Sequence, residues 1–198
     1  NSATVSTGIS NVIANPLVEV QFHELTVKSN LIGLYNANNI SAAITIGTYF
    51  DVADKDIKEA IESYIPENNR SQLLNKNSNE IILDAYNANP SSMLVALQNF
   101  LQLDKTDKVI IIGDMFELGE ESLAEHQSIV NYLKSNESVA CYFIGNDFYS
   151  NKVEQSNFSF YKDFDSFAAF LQTIKFKNNA ILIKGSRGMA LERVLEYI

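Results

Sequence analysis

The chain has 198 residues, of which 46% are hydrophobic and 20% charged, enough apolar material for one large domain or two small ones. A net charge of −9 argues against a protein that tracks nucleic-acid phosphates, which needs clustered Lys and Arg, yet leaves room for one nucleotide held by a few cations. A single cysteine, Cys141, cannot close an internal disulfide, and no apolar stretch approaches the roughly 20 residues of a membrane span, so a cytoplasmic protein is expected.

The first residues, NSATVSTGIS, carry neither a basic start nor an apolar core, so no signal peptide is expected, and the missing initiator Met suggests a chain that begins inside a longer one. Residues 17 to 34 alternate, with Val18, Val20 and Phe22 on one face followed by Leu25 and Val27. That pattern predicts edge strands or hairpins, with Ser29-Asn30 as a turn. Asn36 is placed as the N-cap of a helix carrying Ile40, Ala43, Ile44 and Gly47. A second helix follows Asp54 and buries Ile57, Ala60, Ile61 and Tyr64. The polar, proline-led stretch PENNRSQ (66–72) ends it and is predicted to be the domain boundary and a hinge.

From there strands and helices alternate strictly. EIILDAY is a strand, and Asn89-Pro90 opens a helix carrying Met93, Leu97, Phe100 and Leu101. KVIIIGDM is the next strand, with His126, Ile129, Val130 and Leu133 in helical register after it. VACYFIG and FSFYKD read as strands, DSFAAFLQTI as a helix and AILIKGS as the last strand. Ser186 is predicted to begin a closing helix with Leu191, Val194, Leu195 and Ile198. Continuous apolar strands separated by amphipathic helices imply a mostly parallel sheet covered on both faces, a doubly wound, Rossmann-like α/β domain. The boundaries read from the sequence are 1–70, part of a first domain, and 71–198, the α/β domain.

In such a sheet, ligands sit at the carboxyl ends of the strands. Polar residues crowd there: Asp84, Tyr86, Asn87 and Asn89 after one strand, Gly113, Asp114 and Glu117 after the next. Gly145-Asn146-Asp147 and Lys184-Gly185-Ser186-Arg187 complete the set. Each has a plain structural reading as well, Asn89 as a helix cap and the glycines as turn residues. GDMFELG lacks dinucleotide-binding glycine spacing, and the chain contains no GxxxxGK[ST]. Two histidines and one cysteine make a zinc site improbable. His126 lies on an apolar helix stripe and reads as a packed, hydrogen-bonded histidine, and Cys141 as an inert buried thiol.

GLYNANNISAAITIG (33–47), DAYNANPSSM (84–93), GDMFELGEES (113–122) with His126, and LIKGSRGMALERV (182–194) occur in this order. Together they resemble the C-terminal half of the Mur ligases, over nearly the whole chain from about residue 30. YNANP and GDM.ELG are the stretches that resemble one branch, which adds D-Ala-D-Ala to UDP-MurNAc-tripeptide during peptidoglycan precursor synthesis. The resemblance implies that 1–70 is the tail of a central ATPase domain and 71–198 the Rossmann-like C-terminal domain. It implies a reaction in which ATP phosphorylates a carboxylate and an amine then attacks the acyl phosphate.

By position, the resemblance assigns Asn39 to adenine, Arg70 to the ATP phosphates and Asp84 to the ribose hydroxyls. Asn87 and Asn89 would shape the dipeptide cleft, and Lys184 and Arg187 would attract the dipeptide carboxylate. No catalytic group and no metal ligand fall in this chain. The phosphate loop and the Mg2+ ligands are expected upstream, so the chain alone is expected not to ligate, and a monomer is favoured. Tyr35 stands where many members carry His, Asn69 where a glycine commonly precedes the arginine, and Ala85 where serine is usual. The alternative is a free-standing Rossmann-like module that binds a nucleotide or a partner. A first segment resembling half of an ATPase domain argues against it.

Overall fold

The computed structural model describes residues 8–14, 16–67 and 69–198. Most of the N-terminal stretch read for a signal peptide, and Asn68 within the 66–72 connector, lie outside the described residues. Contacts divide the chain into two units, Asn1–Glu67 and Asn68–Ile198.

The first unit is an antiparallel sheet, β1 (Ile9–Ala14), β2 (Leu17–Phe22) and β3 (Leu25–Ile32), with helices α1 (Asn36–Tyr49) and α2 (Asp54–Ser63). Alternation along β2 buries Val18, Val20 and Phe22 against Val27, Ile40, Ile44 and Ile57. Three expectations are corrected here. Ser29-Asn30 is no turn: β3 runs through it with a bulge opposite Val18, and the Ser29 hydroxyl donates to the Val18 carbonyl at 2.8 Å. The Asn30 amide reaches the carbonyls of Glu62 and Tyr64, and the β2–β3 reversal falls at His23, whose φ is +49°. Asn36 is not the N-cap but the first helical residue after Tyr35, and it is buried with its amide on the Ile32 carbonyl at 2.8 Å. On α2, Ala60 and Tyr64 face outward. Polar ties from Lys58 and Glu62 to the backbone of Thr26 and Lys28 set that helix's rotation, so Ile57 and Ile61 carry its packing.

The second unit holds one six-stranded sheet in the order β4-β5-β9-β6-β7-β8. Its elements are β4 (Gln72–Lys76), β5 (Asn79–Asp84), α3 (Pro90–Gln102), β6 (Lys108–Gly113), α4 (Ser122–Leu133), β7 (Ala140–Ile144), α5 (Asn146–Ser150), β8 (Phe158–Tyr161), α6 (Phe164–Leu171) and β9 (Ala180–Lys184). All pairings are parallel except β4–β5. That hairpin turns through Asn77 and Ser78, both at positive φ, the geometry that matches strand twist.

Ile81, Leu83, Val109, Ile111, Ile181 and Ile183 face α6 and the C-terminal segment. Their strand neighbours point to the other face, where Phe143 meets Phe148 of α5 and Phe148 meets His126 of α4. The sheet is thus covered on both sides, as the apolar strands require.

Two features here were not legible in the sequence. The 69–72 part of the connector belongs to this unit: Gln72 opens β4, and the Tyr86 N–H donates to the Asn69 carbonyl at 3.2 Å. The segment after Ser186 is no α-helix but two 3-10 stretches, Arg187–Met189 and Leu191–Glu196, separated by Ala190 at φ +47°. Three residues per turn stack the fully buried Leu191 and Val194 on one face, so the predicted core contacts survive the change of helix type.

Candidate functional site

Because β9 inserts between β5 and β6, the carboxyl ends of three strands far apart in sequence lie side by side. The parallel register sets Asp84 opposite Lys184, each the last residue of its strand. The Lys184 side chain is 2% exposed, and its ammonium donates to Asp84 Oδ2 at 2.6 Å and to the Asn87 carbonyl at 3.1 Å. Asp84 Oδ1 accepts the Ser71 N–H at 3.1 Å, so the carboxylate is fixed from two sides. A buried ammonium is tolerated only when its charge and its donors are met, and here Asp84 meets the charge and two acceptors take its donors.

Beside this pair, the Arg70 guanidinium lies over the Tyr86 ring at 3.6 Å from the centroid. Asn87 is exposed and its side chain accepts its neighbour's N–H. Asn89 caps α3: its Oδ1 accepts the Ser92 N–H at 2.8 Å, while the Ser92 hydroxyl accepts the Asn89 N–H. The Asn-Pro pair therefore starts the helix as its sequence suggests.

Ser186 joins the remaining loops. Its buried Oγ accepts the Phe116 N–H at 2.8 Å and donates to the Ala88 carbonyl at 3.4 Å, and its N–H donates to the Asp114 carbonyl. The backbone of Gly185 passes so close to Gly113 that a β-carbon there would sit 3.3 Å from its Cα. Next to Ser186, the Arg187 side chain is 61% exposed with Glu192 at 3.5 Å.

Further along the same edge, Asp114 accepts the N–H groups of Asp147 and Phe148, both at 3.0 Å, and so caps α5 from a neighbouring strand. Burial pushes the Asp114 carboxyl above its ordinary range, opposed by those two N–H donors. His126 is fully buried; Nε2 accepts the Met115 N–H at 2.9 Å, which leaves the proton on Nδ1 to donate to the Ser122 carbonyl at 2.7 Å. This is the packed, hydrogen-bonded histidine the sequence predicts. Cys141 is buried too, and burial alone pushes its thiol up to about 12.

Of the sequence-predicted residues, Arg70, Asp84, Asn87, Asn89, Lys184 and Arg187 all lie in the second unit, at or next to strand ends. Asn39 lies in the first unit, on an exposed turn of α1, with its amide on Asn36 Oδ1 at 2.7 Å. Sequence reasoning missed Ser71, whose place opposite Asp84 depends on a hairpin partner that the polar connector hid. Among the described residues no group of three or more His, Cys, Asp or Glu side chains could hold a metal ion.

Residues 69–187 match the protein family described as "Mur ligase, glutamate ligase domain". The UDP-N-acetylmuramoyl-tripeptide–D-alanyl-D-alanine ligase of Rickettsia prowazekii (strain Madrid E) is 30% identical over 171 residues, which take in 81% of this chain and 36% of the relative. The ligase of that name from Bacillus subtilis (strain 168) is 28% identical over 174 residues, 84% of this chain and 38% of the relative. A crystal structure of MurF from Acinetobacter baumannii superposes with a TM-score of 0.82 at 25% identity, covering 95% of this chain and 44% of that one. The MurF ligase of Thermotoga maritima in complex with ADP shares the fold, with a TM-score of 0.74 at 22% identity. The chain thus spans little more than a third of the length of these curated relatives, 36% and 38%. The family match runs from the Asn69 loop to Arg187 and takes in every residue of the strand-end site, and on that ground the chain belongs to the Mur ligase family.

Proposed function

We propose that this chain is the C-terminal part of an ATP-dependent ligase that adds D-alanyl-D-alanine to UDP-N-acetylmuramoyl-tripeptide through an acyl phosphate. The observation that carries the reading is Ser186. Through it the stretches 84–93 and 113–122, which carry the resemblance to that branch, and 182–194, which resembles the Mur ligases more widely, meet within hydrogen-bond distance. Turn residues of merely local use would not converge on one buried hydroxyl.

In this reading Asp84 offers the remaining lone pairs of its carboxylate to the ribose hydroxyls, oriented by Lys184 and Ser71. Arg70 supplies charge to the phosphates; an adenine role for Asn39 rests on the resemblance alone. Asn87 and the loop that Asn89 terminates shape the entrance for the dipeptide. Its carboxylate falls to Arg187, whose exposed fork suits a bidentate grip. Lys184 is nearly sealed from solvent and acts on substrate through Asp84 and Asn87.

Among the described residues no group of three or more His, Cys, Asp or Glu side chains could hold a metal ion, and the reading leaves Mg2+ to residues outside this chain. The sequence has no phosphate loop, and the acyl-phosphate chemistry falls to residues outside this chain. No helix among the described residues is long and apolar enough to cross a membrane, and the reading keeps the ligase in the cytoplasm.

The test is made on the product of the whole reading frame that carries this chain. With ATP, UDP-MurNAc-tripeptide and D-Ala-D-Ala, phosphate and ligated pentapeptide product should appear together. Release with a single amino acid in place of the dipeptide would assign the chain to another Mur ligase. No release with any acceptor would favour a binding module.

A further inference from the structure

Arg70 sits between two residues in the left-handed region, Asn69 at φ +59° and Ser71 at φ +47°. Neither is glycine, so the loop persists only because its surroundings hold it. Both flanks are tied to the end of β5. The Tyr86 N–H donates to the Asn69 carbonyl at 3.2 Å, and the Ser71 N–H donates to Asp84 Oδ1 at 3.1 Å. The side chain between them is held differently, over the Tyr86 ring at 3.6 Å. Among the described residues no carboxylate lies within ion-pair distance of Arg70.

The manner of holding matters. An ion pair would consume the in-plane N–H donors that a phosphate needs. A separation of 3.6 Å admits only a face-on approach, which engages the guanidinium face and leaves the N–H edges free. The long side chain gives up rotamer freedom before any ligand arrives, and its charge stays uncommitted. Tyr86 is 39% exposed, so its ring is no core residue that happens to lie beneath an arginine.

We infer that Tyr86 is the positioning residue for Arg70, presenting the guanidinium edge-first to an anionic phosphate group at the strand ends. The inference rests on the proposed role of Arg70 at the ATP phosphates and explains why a tyrosine follows Asp84 by two positions. Tyr86 itself touches no reacting atom and works through the arginine.

The test is a double-mutant cycle in the full-length enzyme, read as KM for ATP, KM for the dipeptide and kcat, with melting temperature alongside. Tyr86→Leu should raise KM for ATP by about three- to tenfold, the worth of one stacked cation, and leave KM for the dipeptide unchanged. Tyr86→Phe and Tyr86→Trp keep a ring face and should restore the wild-type KM for ATP. In the Arg70→Ala background, Tyr86→Leu should cost nothing further. Equal losses from Tyr86→Leu in both backgrounds, or failure of Tyr86→Phe to restore binding, would overturn the inference. If Arg70→Ala impairs ATP use and Tyr86→Leu does not, the positioning role fails while the reading of Arg70 stands. If Arg70→Ala itself changes nothing, that reading fails and the inference goes with it.

Discussion

Asp84 and Lys184 occupy one rung of the parallel sheet, last residues of β5 and β9, and close an ion pair of 2.6 Å there although 100 residues separate them. The pair's structural role and its proposed role in ATP binding separate by substitution. Lys184→Met leaves Asp84 with an uncompensated, largely buried charge and should cost about 3–5 kcal/mol in urea denaturation. Asp84→Asn with Lys184→Met should recover much of that loss, because no charge is then stranded. In the full-length enzyme the double variant should still show a raised KM for ATP. A wild-type KM in the double variant would make the pair purely structural.

Gly145 should tolerate no side chain. At φ +127° it lies outside the range of L residues, and a β-carbon there would stand 2.2 Å from the Asp114 carboxyl. Gly145→Ala must move Asp114 off the N–H groups of Asp147 and Phe148, so it combines backbone strain with two lost charge-assisted hydrogen bonds. The expected loss is about 3 kcal/mol or more, visible as a lower denaturation midpoint with an unchanged slope.

Asp114 should leave a signature in stability against pH. Burial raises its folded-state pKa above the unfolded value, so between the two values the folded chain binds more protons than the unfolded one. This group's contribution is therefore full below the ordinary carboxylate range and is lost as pH rises through the raised folded value. Compared with Asp114→Asn, the wild type should gain stability as pH falls through that window. His126 and Asp147, the titratable neighbours, must be followed in the same titration by NMR. A parallel pair of stability curves would contradict the raised pKa.

Cys141 should be silent until the sheet opens. It is 1% exposed as the second residue of β7, and its thiol is pushed up to about 12, so almost no thiolate exists at pH 8. A disulfide reagent should fail to label the native chain and label it fully in denaturant. Rapid labelling without denaturant would show that β7 is exposed locally.

How much of this could be read from the sequence depends on whether a residue's role is local. Apolar runs such as Val109–Ile112 and the stripe Ile129, Val130, Leu133 announce buried strands and an amphipathic helix, because period alone decides which side chains face the core. The Asn89-Pro90 start of α3 was equally legible, since a cap is made within four residues. So was the reading of His126, whose partners Met115 and Ser122 lie within 11 positions of it. Ser29-Asn30 misled for a physical reason: polar residues signal a turn only when no cross-strand carbonyl accepts from them, and Val18 does.

What the sequence could not decide was every contact that depends on strand order. Nothing local says that β9 returns between β5 and β6, yet that insertion alone brings Lys184 to Asp84 and Ser186 to Phe116 and Ala88. Nothing local makes Ser71 the partner of Asp84, because the β4–β5 hairpin sets that meeting. The sequence by itself determined most of the strands and helices from β5 to β9, their buried faces and the list of polar residues at strand ends. Tertiary structure decided which of those residues pair with one another, as Asp84 does with Lys184, and which, like Arg70, meet no carboxylate among the described residues, since pairing across a sheet is fixed by register and order.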